Sequence, residues 1–161
     1  MTARDLANFI RPLKEAARRP PRSRTVAAVD ERVVRALATR EHVERRVVAR
    51  LKALADFTPE LHLATLLSDG AWVWSLRGFV PSRSPRPRRP MSFCRLDLGL
   101  RLNSATGRFV LESHATVHDA DLESLRWESP IVGADWDALG AWIEEAALAF
   151  AAAYFGGRSS S

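Results

Sequence analysis

Three titratable side chains stand at spacings that invite chemistry: Asp97, His114 and His118. They fall in two segments that read as paired strands. The register that aligns their leucines sets Asp97 opposite His114, Arg95 opposite Thr116 and Phe93 opposite His118. An aspartate beside an imidazole can orient it as a general base. No matching nucleophile stands out, so Asp97, His114 and His118 are weak catalytic candidates, and a cross-strand pair that simply stabilises a sheet is the plainer reading. His114 and His118 have the spacing of two ligands on one helix face. On a strand four residues span about 13 Å, too far to share one ion. No metal site and no cofactor is expected, and phosphate-cradling glycine loops, G-x-S-x-G and H-E-x-x-H are all missing from the chain.

The second constellation is cationic. Pro81-Ser82-Arg83-Ser84-Pro85-Arg86-Pro87-Arg88-Arg89-Pro90 holds four prolines and four arginines, and no acid occurs between Asp69 and Asp97. Prolines cannot donate to a ladder, so the tract is expected to project as a loop where it can meet an anionic partner. Arg18, Arg19, Arg22 and Arg24 form a second basic segment around Pro20-Pro21. The candidate binding residues are therefore Arg83, Arg86, Arg88, Arg89 and Arg95, with Arg18, Arg19, Arg22 and Arg24. Base stacking would need exposed aromatics among these arginines. Trp72 and Trp74 share one strand face, and whether that face is core or open decides their use.

The net charge of +5 conceals an asymmetry. Residues 1–95 carry 20 Lys+Arg against 9 Asp+Glu, and residues 96–161 carry 4 against 10. Such a split suits docking of a basic half on an acidic surface, including that of a second copy. The single cysteine, Cys94, excludes an intrachain disulfide and a cysteine-based zinc site; it falls on a leucine-rich strand face and is expected to be buried. The first residues lack the apolar core of a signal peptide, and the longest weakly polar run, Ala146 to Phe155, is shorter than a bilayer crossing. A cytoplasmic setting without membrane contact is expected, and no small-molecule ligand is evident.

These residues need elements to position them. Leu6, Phe9, Ile10 and Leu13 suggest a helical arm over 4–18, interrupted at Pro12. Residues 26–56 carry two apolar stripes, Val26-Val29-Val33-Leu37 and Val47-Leu51-Leu54, with Thr39 placed to cap a new helix between them. Two helices or one bent helix follow. Asp69-Gly70 between apolar runs marks a two-residue hairpin turn, with a helix over 59–68 as the competing reading. Cys94 to Leu102 alternates strictly, Asn103 to Gly107 turns the chain, and Arg108 to His118 returns. Residues 119–134 read as mostly irregular, with a short strand at 125–128. Asp135 caps a last helix with Trp136, Leu139, Ile143, Ala147, Phe150 and Tyr154 on one stripe, ended by Gly156; Trp142 lies off that stripe.

The expected architecture is α+β: a four-stranded antiparallel β-meander flanked by N-terminal helices and one long C-terminal helix. Residues 1–24 would form an arm and linker, 25–156 a single domain and 157–161 a tail. The expected role is a non-catalytic macromolecular interaction or assembly module whose partner is an acidic protein surface or a second copy. Nucleic-acid binding through the arginine segments is the alternative, and a small enzyme on the polar sheet face is the third.

Overall fold

In the computed structural model the described residues are 24–83 and 90–156, with only the helical backbone given for 24–30. The expected arm, the linker arginines Arg18, Arg19 and Arg22, the loop arginines Arg86, Arg88 and Arg89, and the tail lie outside them. Arg24 begins the first helix, but its side chain is not described.

Helix α1 spans Arg24–Phe57 without a break. At 1.5 Å per residue its 34 residues run about 51 Å, longer than the sheet it lies on. Of the two alternatives read over 26–56, two helices or one bent helix, the chain forms a single helix. The Thr39 hydroxyl donates to the carbonyl of Arg35 one turn back, so it serves the existing helix instead of capping another. Among the described side chains α1 buries a regular face from Thr39 onward, through Val43, Val47, Leu51 and Leu54. Val34 and Leu37 stay exposed on the overhanging part. The helix then closes on Thr58, whose hydroxyl donates to the Leu54 carbonyl while its own carbonyl accepts from Leu61.

The sheet follows as β1 (His62–Ser68), β2 (Ala71–Pro81), β3 (Met91–Asn103), β4 (Arg108–Val117), β5 (Ala120–Asp121) and β6 (Arg126–Pro130), all antiparallel to their neighbours. Strand order is β1-β2-β3-β4, with β5 and β6 both paired to β4. Thus two short strands join the four of the expected meander, and β6 falls on the short strand read at 125–128. Residues 120–130 run back along β4 as an interrupted edge, bridged by Leu122 N to Ala115 O and Ser113 N to Leu125 O. The two residues of β5, Ala120 and Asp121, are too few to show an alternation that announces a strand. Residues 62–68 are strand, not helix. Asp69 and Gly70 both have positive φ, as a primed turn requires, and the hairpin register pairs Leu67 with Trp72 and Thr65 with Trp74. His118 and Asp119, also both at positive φ, make the second such turn, between β4 and β5.

Helix α2 spans Trp136–Gly156. The Asp135 carboxylate accepts from the amides of Asp137 and Ala138, which fixes its start. By length and composition α2 could cross a bilayer, contrary to the reading of its apolar run as too short. Here Leu139, Trp142, Ile143, Ala146, Ala147, Phe150 and Tyr154 are buried, so Trp142 is core and the buried face is wider than a single stripe. Both helices pack on one side of the sheet and against each other. On that side Trp74, Leu76, Leu96, Leu98, Leu100, Phe109 and Leu111 are all fully buried. Each large side chain so buried contributes roughly 1.5–3 kcal/mol.

One glycine records how tightly the layers close. A Cβ at Gly78 would lie 2.4 Å from the Glu60 carbonyl oxygen. Any larger residue there would push the β1 entry off the core side of β2.

Candidate functional site

With both helices on one side, the opposite face of the sheet is uncovered by any described element. Strand parity puts His62 and Leu66 of β1, Val73, Ser75, Arg77 and Phe79 of β2, Phe93, Arg95, Asp97, Gly99 and Arg101 of β3, and Glu112 and His114 of β4 on it. The centre is dished because Ser75 and Gly99 are small. The hollow, about 300 Å³, is edged by Arg77 and Arg95 at one end and Arg101 at the other.

Cross-strand rows define its chemistry. One row is Ser75–Asp97–His114. Asp97 stands opposite His114, as the leucine register requires, but does not orient it. Ser75 donates to the Asp97 carboxylate, and Arg95 Nε lies 3.5 Å from its other oxygen. The His114 ring instead meets the Ser124 hydroxyl through Nδ1 at 3.0 Å, in an exposed position. Ser75 therefore donates to a carboxylate and not to an imidazole, and neither serine has the acid–imidazole–hydroxyl order of a relay.

His118 is not on this face at all. Its positive φ turns the ring to the helix side, where Nδ1 meets the Ser92 hydroxyl at 3.0 Å and the ring stacks on Tyr154. Asp119, not His118, stands at Phe93: the Asp119 amide donates to the Phe93 carbonyl, and the Phe93 amide donates to the Asp119 carboxylate. Asp97, His114 and His118 are thus not brought together. Burial, then the Arg83 charge, lowers the His118 pKa below 6.5. The nearby Cys94 accepts from the His118 amide, and burial raises its pKa above that of a free thiol. Both shifts favour the neutral thiol and the neutral imidazole over a thiolate–imidazolium pair. Among the described residues no group of three or more His, Cys, Asp or Glu is arranged to hold a metal ion.

The next row is His62–Arg77–Arg95–Thr116. Arg77 and Arg95 oppose each other on the two central strands, with His62 beside Arg77. Arg95 has Asp97; Arg77 has no ion-pair partner among the described residues. Beyond it lies Phe79–Phe93, with ring centroids 5.3 Å apart, Phe79 63% exposed and the Arg95 guanidinium 6.0 Å from the Phe93 ring. Met91, also exposed, follows on the same face. The acids across the sheet are matched differently. Glu112 pairs with Arg126, and Glu128 with Arg108 and Arg126, which hold its carboxyl below the usual range.

The Arg/Pro tract is shorter as a loop than its prolines suggest. Pro81 pairs with Met91 as the last ladder step, and Ser82 donates to the Pro90 carbonyl. Arg83 turns back on its own chain, donating to the Tyr154 carbonyl near the end of α2 and lying over the Tyr154 ring. Trp74 is fully buried, and Trp72 is half-buried under the Arg40 guanidinium, 4.0 Å from its ring. On the uncovered face the aromatics that stand among arginines are Phe79 and Phe93. Strand parity was the signal for them: they share odd positions with Arg77 and Arg95, whereas the tryptophans and leucines of β2 and β3 share even ones.

Comparison with family models, curated proteins and solved structures finds no match to this chain.

Proposed function

We propose that this protein is a non-catalytic interaction module that takes an anionic macromolecule on the uncovered face of its sheet, with Arg77 and Arg95 as contacting cations. The observation that carries this reading is the direct opposition of two arginines on neighbouring central strands. Like charges so opposed weaken a sheet by roughly 0.2–1 kcal/mol, and a partner's negative charge relieves that cost. Two features support it further. Glu112 and Glu128 of the far edge are already paired with Arg108 and Arg126, so these two do not cancel the field of Arg77. The β2–β3 connection, which carries Arg86, Arg88 and Arg89 in sequence, leaves and rejoins the sheet at this same end.

Self-assembly of a basic half on an acidic half has less support. Glu144 of α2 already pairs with Arg50 of α1 inside one chain. An enzyme on the Asp97–His114 row has less support too, because the carboxylate serves Ser75 and Arg95.

The test is retention on immobilised heparin across a salt series, for the wild type and for Arg77→Glu with Arg95→Gln. The reading expects retention at low salt, steep elution with salt, and earlier elution of the double variant. A wild type that flows through at low salt, or a double variant that elutes with it, refutes the reading.

A further inference from the structure

Resting on that reading, we propose that the anionic partner is single-stranded nucleic acid, its bases stacking on Phe79 and Phe93 while its phosphates track Arg77. Two kinds of group stand side by side on this face. Phe79 opposes Phe93, and Arg77 opposes Arg95 one same-face row away, about 6.6 Å along the strands. A phosphate held at the arginine row leaves the attached base within reach of the phenyl row.

The aromatic end is open. Phe79 is 63% exposed and tilted 53° to Phe93, which offers one nearly free ring backed by a second, half-buried one. Met91 and Pro81, paired just beyond, extend this apolar shelf to the end of the ladder. Every base has a π-face, so such a shelf beside cations binds unpaired strands with little sequence preference. A duplex presents phosphates but keeps its bases stacked inside. An acidic protein surface would satisfy the arginines and leave the rings without a matching group.

Three acids stand near this end, and each is occupied. Asp97 is held by Ser75 and Arg95, Asp119 accepts the Phe93 amide, and Asp121, opposite Thr116 at the far end of the arginine row, accepts the Thr116 hydroxyl. They leave the β1–β2 side, with His62 and Arg77, as the path of lower repulsion for phosphates.

The test is fluorescence anisotropy at low salt with labelled oligo(dT), oligo(U), an abasic deoxyribose-phosphate strand of equal length, and a duplex. Polyglutamate and anionic phosphatidylserine vesicles serve as competitors. The wild type is expected to bind oligo(dT) or oligo(U) at least tenfold more tightly than the abasic strand and the duplex. Unequal affinity for the two would tell DNA from RNA. Phe79→Ala is expected to lose roughly five- to 150-fold for the base-bearing strand and nothing for the abasic one, and Phe79→Trp to restore binding.

Equal affinity for abasic and base-bearing strands, with Phe79→Ala unchanged, overturns the stacking proposal but leaves the polyanion reading intact. Competition by polyglutamate or vesicles at strand-equivalent concentrations overturns it in favour of an acidic protein or a membrane. Failure to bind heparin as well as every strand removes both. The abasic comparison uses the wild type alone, so it stands even if a Phe79 variant misfolds.

Discussion

Replacing Arg77 by glutamine and then by glutamate is expected to move stability and binding in opposite directions. Opposed strand positions lie about 5 Å apart, where two unit charges repel by ~0.8 kcal/mol in bulk water. Asp97, 3.5 Å from Arg95, takes up part of that field. A gain of a few tenths to ~0.8 kcal/mol is therefore expected for Arg77→Gln. Arg77→Glu converts repulsion into attraction and should gain about twice as much. For a chain of this length roughly 2–4 °C of Tm accompanies each kcal/mol, so the steps are about 1–3 °C and twice that. Thermal unfolding at low salt measures them, and at 1 M salt, where the Debye length is ~3 Å, the differences should collapse. Heparin retention should fall in the same order in which stability rises. A glutamate variant less stable than the wild type, or steps unchanged by salt, would show that this row is not held against its own repulsion.

Three further outcomes follow from the packing. Gly78→Ala should destabilise by about 1–3 kcal/mol, read as a lower denaturant midpoint, because the new Cβ must displace the Glu60 carbonyl. Asp135→Ala should cost ~1 kcal/mol in the same assay by freeing the amides of Asp137 and Ala138. Stability should also fall as pH drops from 7.5 to 5.5. His118 and His42 both have pKa values lowered below 6.5, chiefly by burial, with His42 packed on Trp136 beside Arg45 and Arg46. The unfolded chain then binds more protons from pH 6.5 downward, so the stability present above 6.5 is lost toward the folded values. His118→Asn, which tolerates positive φ, should reduce that slope in urea titrations, and a flat profile in the wild type would contradict the assignment.

What the sequence made legible was local. Asp69-Gly70, the alternation from Cys94 to Leu102 and the Asp135 cap each act within a few residues, and each appears where its pattern puts it. The β3–β4 register followed from matching two leucine faces. Non-local facts were not legible. Thr39 reads equally as a cap or as a hydroxyl bonded one turn back, and only continuous packing of α1 on the sheet selects the second. β5 takes its pairing from β4, so Ala120 and Asp121 need no strand pattern of their own, whereas β6 falls on the short strand read at 125–128. Arg83 looked like a free cation because nothing near it in sequence reveals that Tyr154 is its neighbour. Asp97 and His114 had the right register and the wrong partners, since Ser75 enters from a strand twenty-two residues away.

If the uncovered face of β2 and β3 is the binding surface, backbone-amide NMR of the labelled protein titrated with oligo(dT) reads it directly. Shifts are expected to concentrate at Arg77 to Phe79 and Phe93 to Arg95, with the outer side of α2 silent. Shifts confined to α1 and α2, with the β2–β3 residues unmoved at saturation, would contradict it.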